Sequence, residues 1–245
     1  MKKITLITLI SVIMIFSLSM MVFAETYIVG TSAGFPPFEY VEDGEIVGFD
    51  VDLIRAIAES QGFEVDVKDL SFDSLIAGVK TGNLDIIAAG MTINAEREKV
   101  VDFSDPYYGS NQSIIVKEGS GKNMTVIFGD NNIGVQTGTT GDTWVTENLA
   151  EKGILKGRVK HFDTFVMVLN DLVNENLDGV VLDTPVAERF ASMKPVKIVG
   201  EIISDEQYGI AVNEGNTELL NKINAGLKEV KESGKFNELI AKYFQ

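Results

Sequence analysis

From Thr26 onward, short strand-like runs alternate with amphipathic helical stretches, and this alternation constrains the fold more than any other feature of the chain. Tyr27-Ile28-Val29-Gly30 reads as a short strand. Asp50 opens a stretch with Val51, Ile54, Ile57 and Ala58 on one helical face, and Gly62 stops it. Glu64 to Leu70 alternates with period two, Asp73 to Thr81 is again helical up to Gly82, and Leu84 to Ala89 is an apolar strand. This order predicts an α/β domain with a mostly parallel sheet.

The rhythm breaks after Ser104-Asp105-Pro106-Tyr107-Tyr108. An extended segment, Gln112 to Val116, leads through the polar stretch Lys117 to Asn123 into a second α/β run. Strands are expected at Ile133–Gln136, Val159–Phe162, Gly179–Leu182 and Val196–Val199. Helices are expected near Asp142–Glu151, at Thr164–Asn174 and from Pro185. A second extended segment, Gln207 to Val212, precedes two closing helices, Thr217–Lys231 and Lys235–Tyr243. Two such crossings predict a discontinuous first domain, 25–111 and 206–245, with a second domain, 112–205, inserted into it. Paired crossings are also how a hinge between two lobes is built.

The first residues set the compartment. Lys2 and Lys3 precede an uncharged run from Ile4 to a small residue, Ala24, which is the pattern of a secretory signal peptide over 1–24. An uncleaved anchor is the other use of about 18 apolar residues. With no cysteine there is neither a lipid-modified anchor nor a disulfide, so a soluble periplasmic chain would rest on its core. The formal charge of −15 repels nucleic acid and anionic lipid, so neither is expected as a partner. One histidine, His161, in a strand-like run and no cysteine argue against a zinc site or a Ser-His triad, and no cofactor is expected.

Open α/β sheets bind ligands beyond the carboxyl ends of their strands. Here those positions are Ser32 to Phe38, Phe72, the stretch GMTINAERE (Gly90 to Glu98), Gln136 to Gly141, and Asp183-Thr184. In GMTINAERE, Asn94 is a good N-cap, which puts Arg97 in a helix first turn, where the dipole disfavours a cation. One fixed cation, Arg97, and one fixed anion, Asp183, lie in different domains. That is the charge pattern of a clamp for a zwitterion, with Arg97 taking an α-carboxylate through its planar fork and Asp183 an α-ammonium. The plainer reading pairs Arg97 with Glu96 or Asp102 at the surface. Likewise Asp183 could cap the helix at Pro185, and Phe35 and Phe72 could be core residues. The GTTG turn lacks the lysine of a phosphate loop.

The stretches GFPPFEY, GFDVDL, FDSLIAGVKTGNLDIIAAGMTINAEREKVVDFSDPYY, GVQTGTTGD, LDGVVLDTPVAE and QYGIAV resemble the periplasmic amino-acid-binding proteins of ABC importers. The likeness runs from Thr26 to Phe244 and is nearest to the glutamine-binding and lysine/arginine/ornithine-binding members. It implies a type II periplasmic binding protein fold: two α/β lobes with mostly parallel sheets, joined by a two-segment hinge. It also implies a monomer that closes on a free L-amino acid and delivers it to a membrane permease. Carried over, it gives Arg97 the ligand carboxylate, with the Thr92 and Thr140 amides. It gives the Gly90 carbonyl, the Thr92 hydroxyl and Asp183 the ammonium, and sets Phe35 and Phe72 beside the ligand side chain. Ala89 and Thr139 complete the set. Ser32 and Gln136 fall where the family places side-chain-selecting groups, but both are neutral here, where relatives can carry an aspartate or a lysine. Glutamine and arginine are both left as ligands, either amide or guanidinium suiting aromatic faces. The fold also resembles periplasmic cyclohexadienyl dehydratases, which need a pocket acid; Glu39 and Asp142 are the candidates. A sensor lobe for a membrane partner would use the same site.

Overall fold

A computed structural model describes residues 24–244; the signal segment expected over 1–24 lies outside these residues apart from Ala24. The chain opens with β1 (Thr26–Thr31), β2 (Gly34–Phe35), β3 (Glu39–Glu42), β4 (Glu45–Val47) and α1 (Phe49–Gln61). It continues with β5 (Glu64–Asp69), α2 (Leu75–Lys80), β6 (Ile86–Ile87), β7 (Val101–Phe103) and the long β8 (Tyr108–Lys117). Next come β9 (Ile133–Gln136), α3 (Thr140–Val145), β10 (Val159–Phe162), α4 (Phe165–Val173), β11 (Gly179–Asp183) and α5 (Thr184–Met193). The long β12 (Val196–Tyr208), β13 (Ala211–Asn213), α6 (Thr217–Glu232) and α7 (Lys235–Tyr243) complete it. No helix among the described residues is long and apolar enough to cross a membrane.

Two five-stranded sheets form two lobes, ordered β5-β1-β6-β13-β7 and β10-β9-β11-β8-β12. In each sheet the first three strands are parallel, and the fourth runs against its neighbours on both sides. The odd strand is in each case one that has just crossed: β8 arrives from the first lobe and β13 returns from the second. β8 and β12 pair antiparallel from Tyr108↔Tyr208 to Lys117↔Val196, so the two crossings form one ribbon. Helices α1, α6 and α7 pack together, and Ile54, Ile57, Ile223 and Leu227 bury the apolar stripes that their periodicity predicts.

Several expected elements are corrected by tertiary context. The strand read over Leu84–Ala89 keeps only Ile86–Ile87 in the ladder. The helix read over Asp73–Thr81 begins as a 3-10 turn, Phe72–Ser74, before α2. Helix α1 starts at Phe49, and Asp50, expected to open it, instead turns inward and is buried. The helix expected near Asp142 starts at Thr140 and ends in a π-turn, Thr146–Ala150. The strand expected at Val196–Val199 runs on to Tyr208. Asn94 caps as its chemistry suggests, accepting the Arg97 N–H at 2.9 Å, but only a 3-10 turn, Arg97–Lys99, follows.

Candidate functional site

Each sheet reverses its strand order around a central strand: β1 has β5 on one side and β6 on the other, and β9 has β10 and β11. Chain segments leaving the carboxyl ends there diverge and leave a crevice. The two crevices face one another. Ser32, Phe35, Glu39, Phe72, Ala89, Gly90, Thr92 and Arg97 from the first lobe, with Gln136, Thr139, Thr140 and Asp183 from the second, line one cavity between them. All eleven residues singled out from the sequence as ligand-binding line this space, and Glu39 joins them.

Arg97 is 8% exposed, and among the described residues no carboxylate lies within ion-pair distance of it. Its guanidinium donates to the Thr92 carbonyl at 2.7 Å and to the Gly138 carbonyl at 3.1 Å, and stands 5.3 Å from the centre of the Phe72 ring. Burial pushes its pKa down, against the opposing pull of Glu206 and Asp183. The surface partners considered for it are engaged elsewhere: Glu96 with Lys99 at 2.5 Å, and Asp102 with the Gly215 amide at 2.7 Å. A buried guanidinium held by two carbonyls is a receptor for an anion.

Gly90 takes φ +55, and a Cβ there would stand 2.6 Å from the Phe35 ring, so no side chain fits. Its N–H donates to the buried Asp50 carboxylate at 2.7 Å, which also accepts from the Tyr107 hydroxyl at 2.5 Å. Burial raises the Asp50 pKa to about 7. Beyond β9, Thr139 caps α3 through its hydroxyl, 3.1 Å from the Asp142 amide. Thr140 is then the first helical residue, and its amide has no intrahelical acceptor.

The anionic side of the cleft holds two buried carboxylates. Asp183 occupies the N-cap position of α5 but makes no side-chain cap; its Oδ1 accepts from the Tyr208 hydroxyl at 2.5 Å. Burial, reinforced by nearby Glu206, raises its pKa to about 7. Glu39, on β3, is 0% exposed, and neither of its oxygens has a hydrogen-bond partner. Burial first, then repulsion from Asp50, Asp183 and Asp69, pushes its pKa well above the ordinary carboxylate range. Ser32 and Gln136 satisfy each other across the cleft at 3.2 Å. The Phe35 ring stacks on Phe165 of the opposite lobe with centroids 5.7 Å apart. These bonds, with Arg97 to Gly138, hold the lobes in a closed arrangement.

Asp142, the other candidate acid, stays outside the cavity and pairs with His161 at 2.9 Å on the edge strand β10. Sequence reasoning missed Asp50 and Tyr208, which hold Gly90 and Asp183, and it missed Glu206 entirely. Asp50 looked like a helix opener, and nothing local distinguishes Glu206 from the other acids of an acidic chain.

Residues 27–245 match the bacterial extracellular solute-binding proteins, family 3. The chain is 35% identical, with full coverage of both sequences, to a putative ABC transporter arginine-binding protein 2 of Escherichia coli. An ancestral arginine-binding protein, solved bound to arginine, superposes with TM-score 0.84 at 41% identity over 90% of this chain and 98% of its own. An ancestral arginine-binding protein solved bound to glutamine gives 0.82 at 43% over 89% and 97%. An ancestral amino-acid-binding protein described as a precursor of cyclohexadienyl dehydratase gives 0.81 at 34% over 90% and 96%.

Proposed function

This chain belongs to the bacterial extracellular solute-binding proteins of family 3, and from that premise we propose that it captures L-arginine in the periplasm for an ABC importer. The observation that carries the choice of ligand is Glu39, a buried carboxylate without a hydrogen-bond partner in a cleft that already holds Asp183 for an ammonium. The amide of a glutamine side chain could donate to Glu39 but brings no charge to match it, whereas a guanidinium supplies paired N–H donors and a positive charge together. Ser32 and Gln136, where family relatives can carry charge, are neutral and bonded to one another, so the selecting charge falls to Glu39. Similar proteins named for arginine support the same choice.

In the proposed mode, Arg97 and the amides near Thr92 and Thr140 take the α-carboxylate. The Gly90 carbonyl, the Thr92 hydroxyl and Asp183 take the α-ammonium, and Phe35 and Phe72 flank the side chain. Domain 1 would comprise 25–111 and 206–245 and domain 2 residues 112–205, hinged on the β8–β12 ribbon. The ligand favours closure because its charges are fully matched only when Asp183 is brought opposite Arg97. The chain works as a monomer with a small-molecule ligand and no nucleic acid, after removal of residues 1–24.

Titration calorimetry tests the ligand. L-arginine should bind at least tenfold more tightly than L-glutamine, and Glu39→Gln should erase that preference while leaving glutamine affinity within about threefold. Equal affinities in the parent would overturn the assignment. One observation favours a second reading: burial pushes the Glu39 pKa well above the ordinary carboxylate range, as a dehydratase's general acid requires. Incubation with a cyclohexadienyl substrate should release no carbon dioxide above background, and release that is lost in Glu39→Gln would establish the enzyme instead.

A further inference from the structure

Glu206 is a buried carboxylate beside the cleft that the proposed binding mode leaves unused. It lies where β12 loses register against β8, between Ile202 and Glu206. Asp205 adopts φ +51, an uncommon conformation for a residue with a side chain. Asn111 of β8 pins the bulge, its Oδ1 accepting the amides of Ser204 at 3.1 Å and Asp205 at 3.0 Å. A bulge held this way re-aims the next side chain, and Glu206 points inward, 7% exposed.

Four donors converge on it. Oε2 accepts the hydroxyls of Thr92 at 2.5 Å and Thr140 at 2.7 Å. Oε1 accepts the Gln112 amide at 3.0 Å and the Ser204 hydroxyl at 2.9 Å. That matches the roughly four acceptor positions of an ionised carboxylate. Gln112 and Ser204 stand on the crossing ribbon, while Thr92 follows β6 of the first lobe and Thr140 opens α3 of the second. One oxygen therefore holds a hydroxyl from each lobe.

We propose that Glu206 is the clasp of the closed state, a positioning residue that joins the lobes through the hydroxyls of Thr92 and Thr140. Charge-assisted hydrogen bonds of this kind are about twice as strong as neutral ones, and they form together only when both lobes meet the ribbon. The clasp also orients Thr92. A hydroxyl whose single proton is committed to Glu206 presents only lone pairs to the cleft, so it accepts from an ammonium and cannot donate to an anion. This inference rests on the reading of the chain as a two-lobed protein that closes on its ligand.

The chain has no cysteine, so Glu59→Cys and Lys152→Cys, exposed on opposite lobes, take a fluorophore pair without competing thiols. In single-molecule energy transfer without ligand, Glu206→Ala should lower the closed share relative to the parent; an unchanged share overturns the clasp. With L-arginine as probe, the midpoint of closure should rise at least tenfold in Glu206→Ala and similarly in Thr92→Val/Thr140→Val. The triple variant should lie within about twofold of the worse of these. If the effects instead multiply, Glu206 acts on the ligand by its charge and not through the hydroxyls, and the proposal falls. Should Glu206→Ala fail to fold, Glu206→Gln keeps the shape and one acceptor oxygen; it should give an intermediate shift, and a midpoint like the parent's would overturn the clasp. A parent that does not close on L-arginine removes the arginine reading, while the ligand-free closed share still judges Glu206.

Discussion

Arg97 keeps its charge where water hardly reaches, held by two carbonyl oxygens and the face of Phe72. A cation so placed gains most when a carboxylate arrives, because the desolvation cost has already been met on folding. Arg97→Ala should weaken ligand binding by about 2–5 kcal/mol, the cost of leaving a buried charge unpaired. Arg97→Lys should recover only part, since an ammonium does not reproduce the bidentate fork. Calorimetry within threefold of the parent for Arg97→Ala would remove the carboxylate assignment. Gly90 is as constrained sterically as Arg97 is electrically. Gly90→Ala should abolish binding while the far-ultraviolet spectrum stays unchanged, because its Cβ meets the Phe35 ring and its φ of +55 disfavours any side chain.

Elements decide where these groups point. Thr139 ends the β9 turn and caps α3, so one hydroxyl fixes both the helix start and the aim of the Thr140 amide. Thr139→Ala should lower stability by about 1 kcal/mol, the usual worth of a threonine cap. For a chain of this size that is a fall in Tm of about 2–4 °C. It should also weaken the ligand, whereas a cap with no part in the site would cost stability alone; differential scanning calorimetry with ligand titration separates the two. The β12 bulge acts at the same scale, since a strand in register would carry Glu206 past the cleft rather than into it.

Over the whole molecule, folding gathers several carboxylates where water hardly reaches. Burial lifts the pKa values of Asp50 and Asp183 to about 7, above their unfolded range, and pushes that of Glu39 well above the ordinary carboxylate range. A raised carboxylate favours folding through its protonated form. The contribution is fully present below the unfolded pKa, about 3.9, and is lost as pH rises through about 7. Ligand-free protein should therefore melt at lower temperature at pH 8 than at pH 5. A cationic ligand reverses the sign, binding the ionised cleft and releasing protons, so stabilisation by saturating L-arginine should grow from pH 5 to pH 8. A ligand-induced shift that is flat or falling over that range would contradict the charge assignment. In small-angle scattering the parent should compact on adding ligand, and Asp183→Asn only at much higher concentration, having lost a charged hydrogen bond worth about 1.5–3 kcal/mol.

The α/β rhythm, its interruption by two crossings, and the residues that leave the carboxyl ends of strands could all be read from the order of the amino acids. Strand period, helix stops at Gly62 and Gly82, and capping at Asn94 are local properties, and they recur in the structure within a few residues. Arg97 and Asp183 were legible because they stand out by charge at strand ends. The family resemblance then supplied Phe35, Phe72 and Thr92. What pairs with what emerged only on folding. It shortened the Leu84–Ala89 strand to two ladder residues and turned Asp50 from a helix opener into the holder of Gly90. It let Gln136 donate to Ser32, left the Glu39 carboxyl without a hydrogen-bond partner, and brought Thr92 and Thr140 onto Glu206. Those pairings join residues up to 114 positions apart in the chain, and a carboxylate's partners and burial are properties of that assembled space and not of its neighbours in sequence.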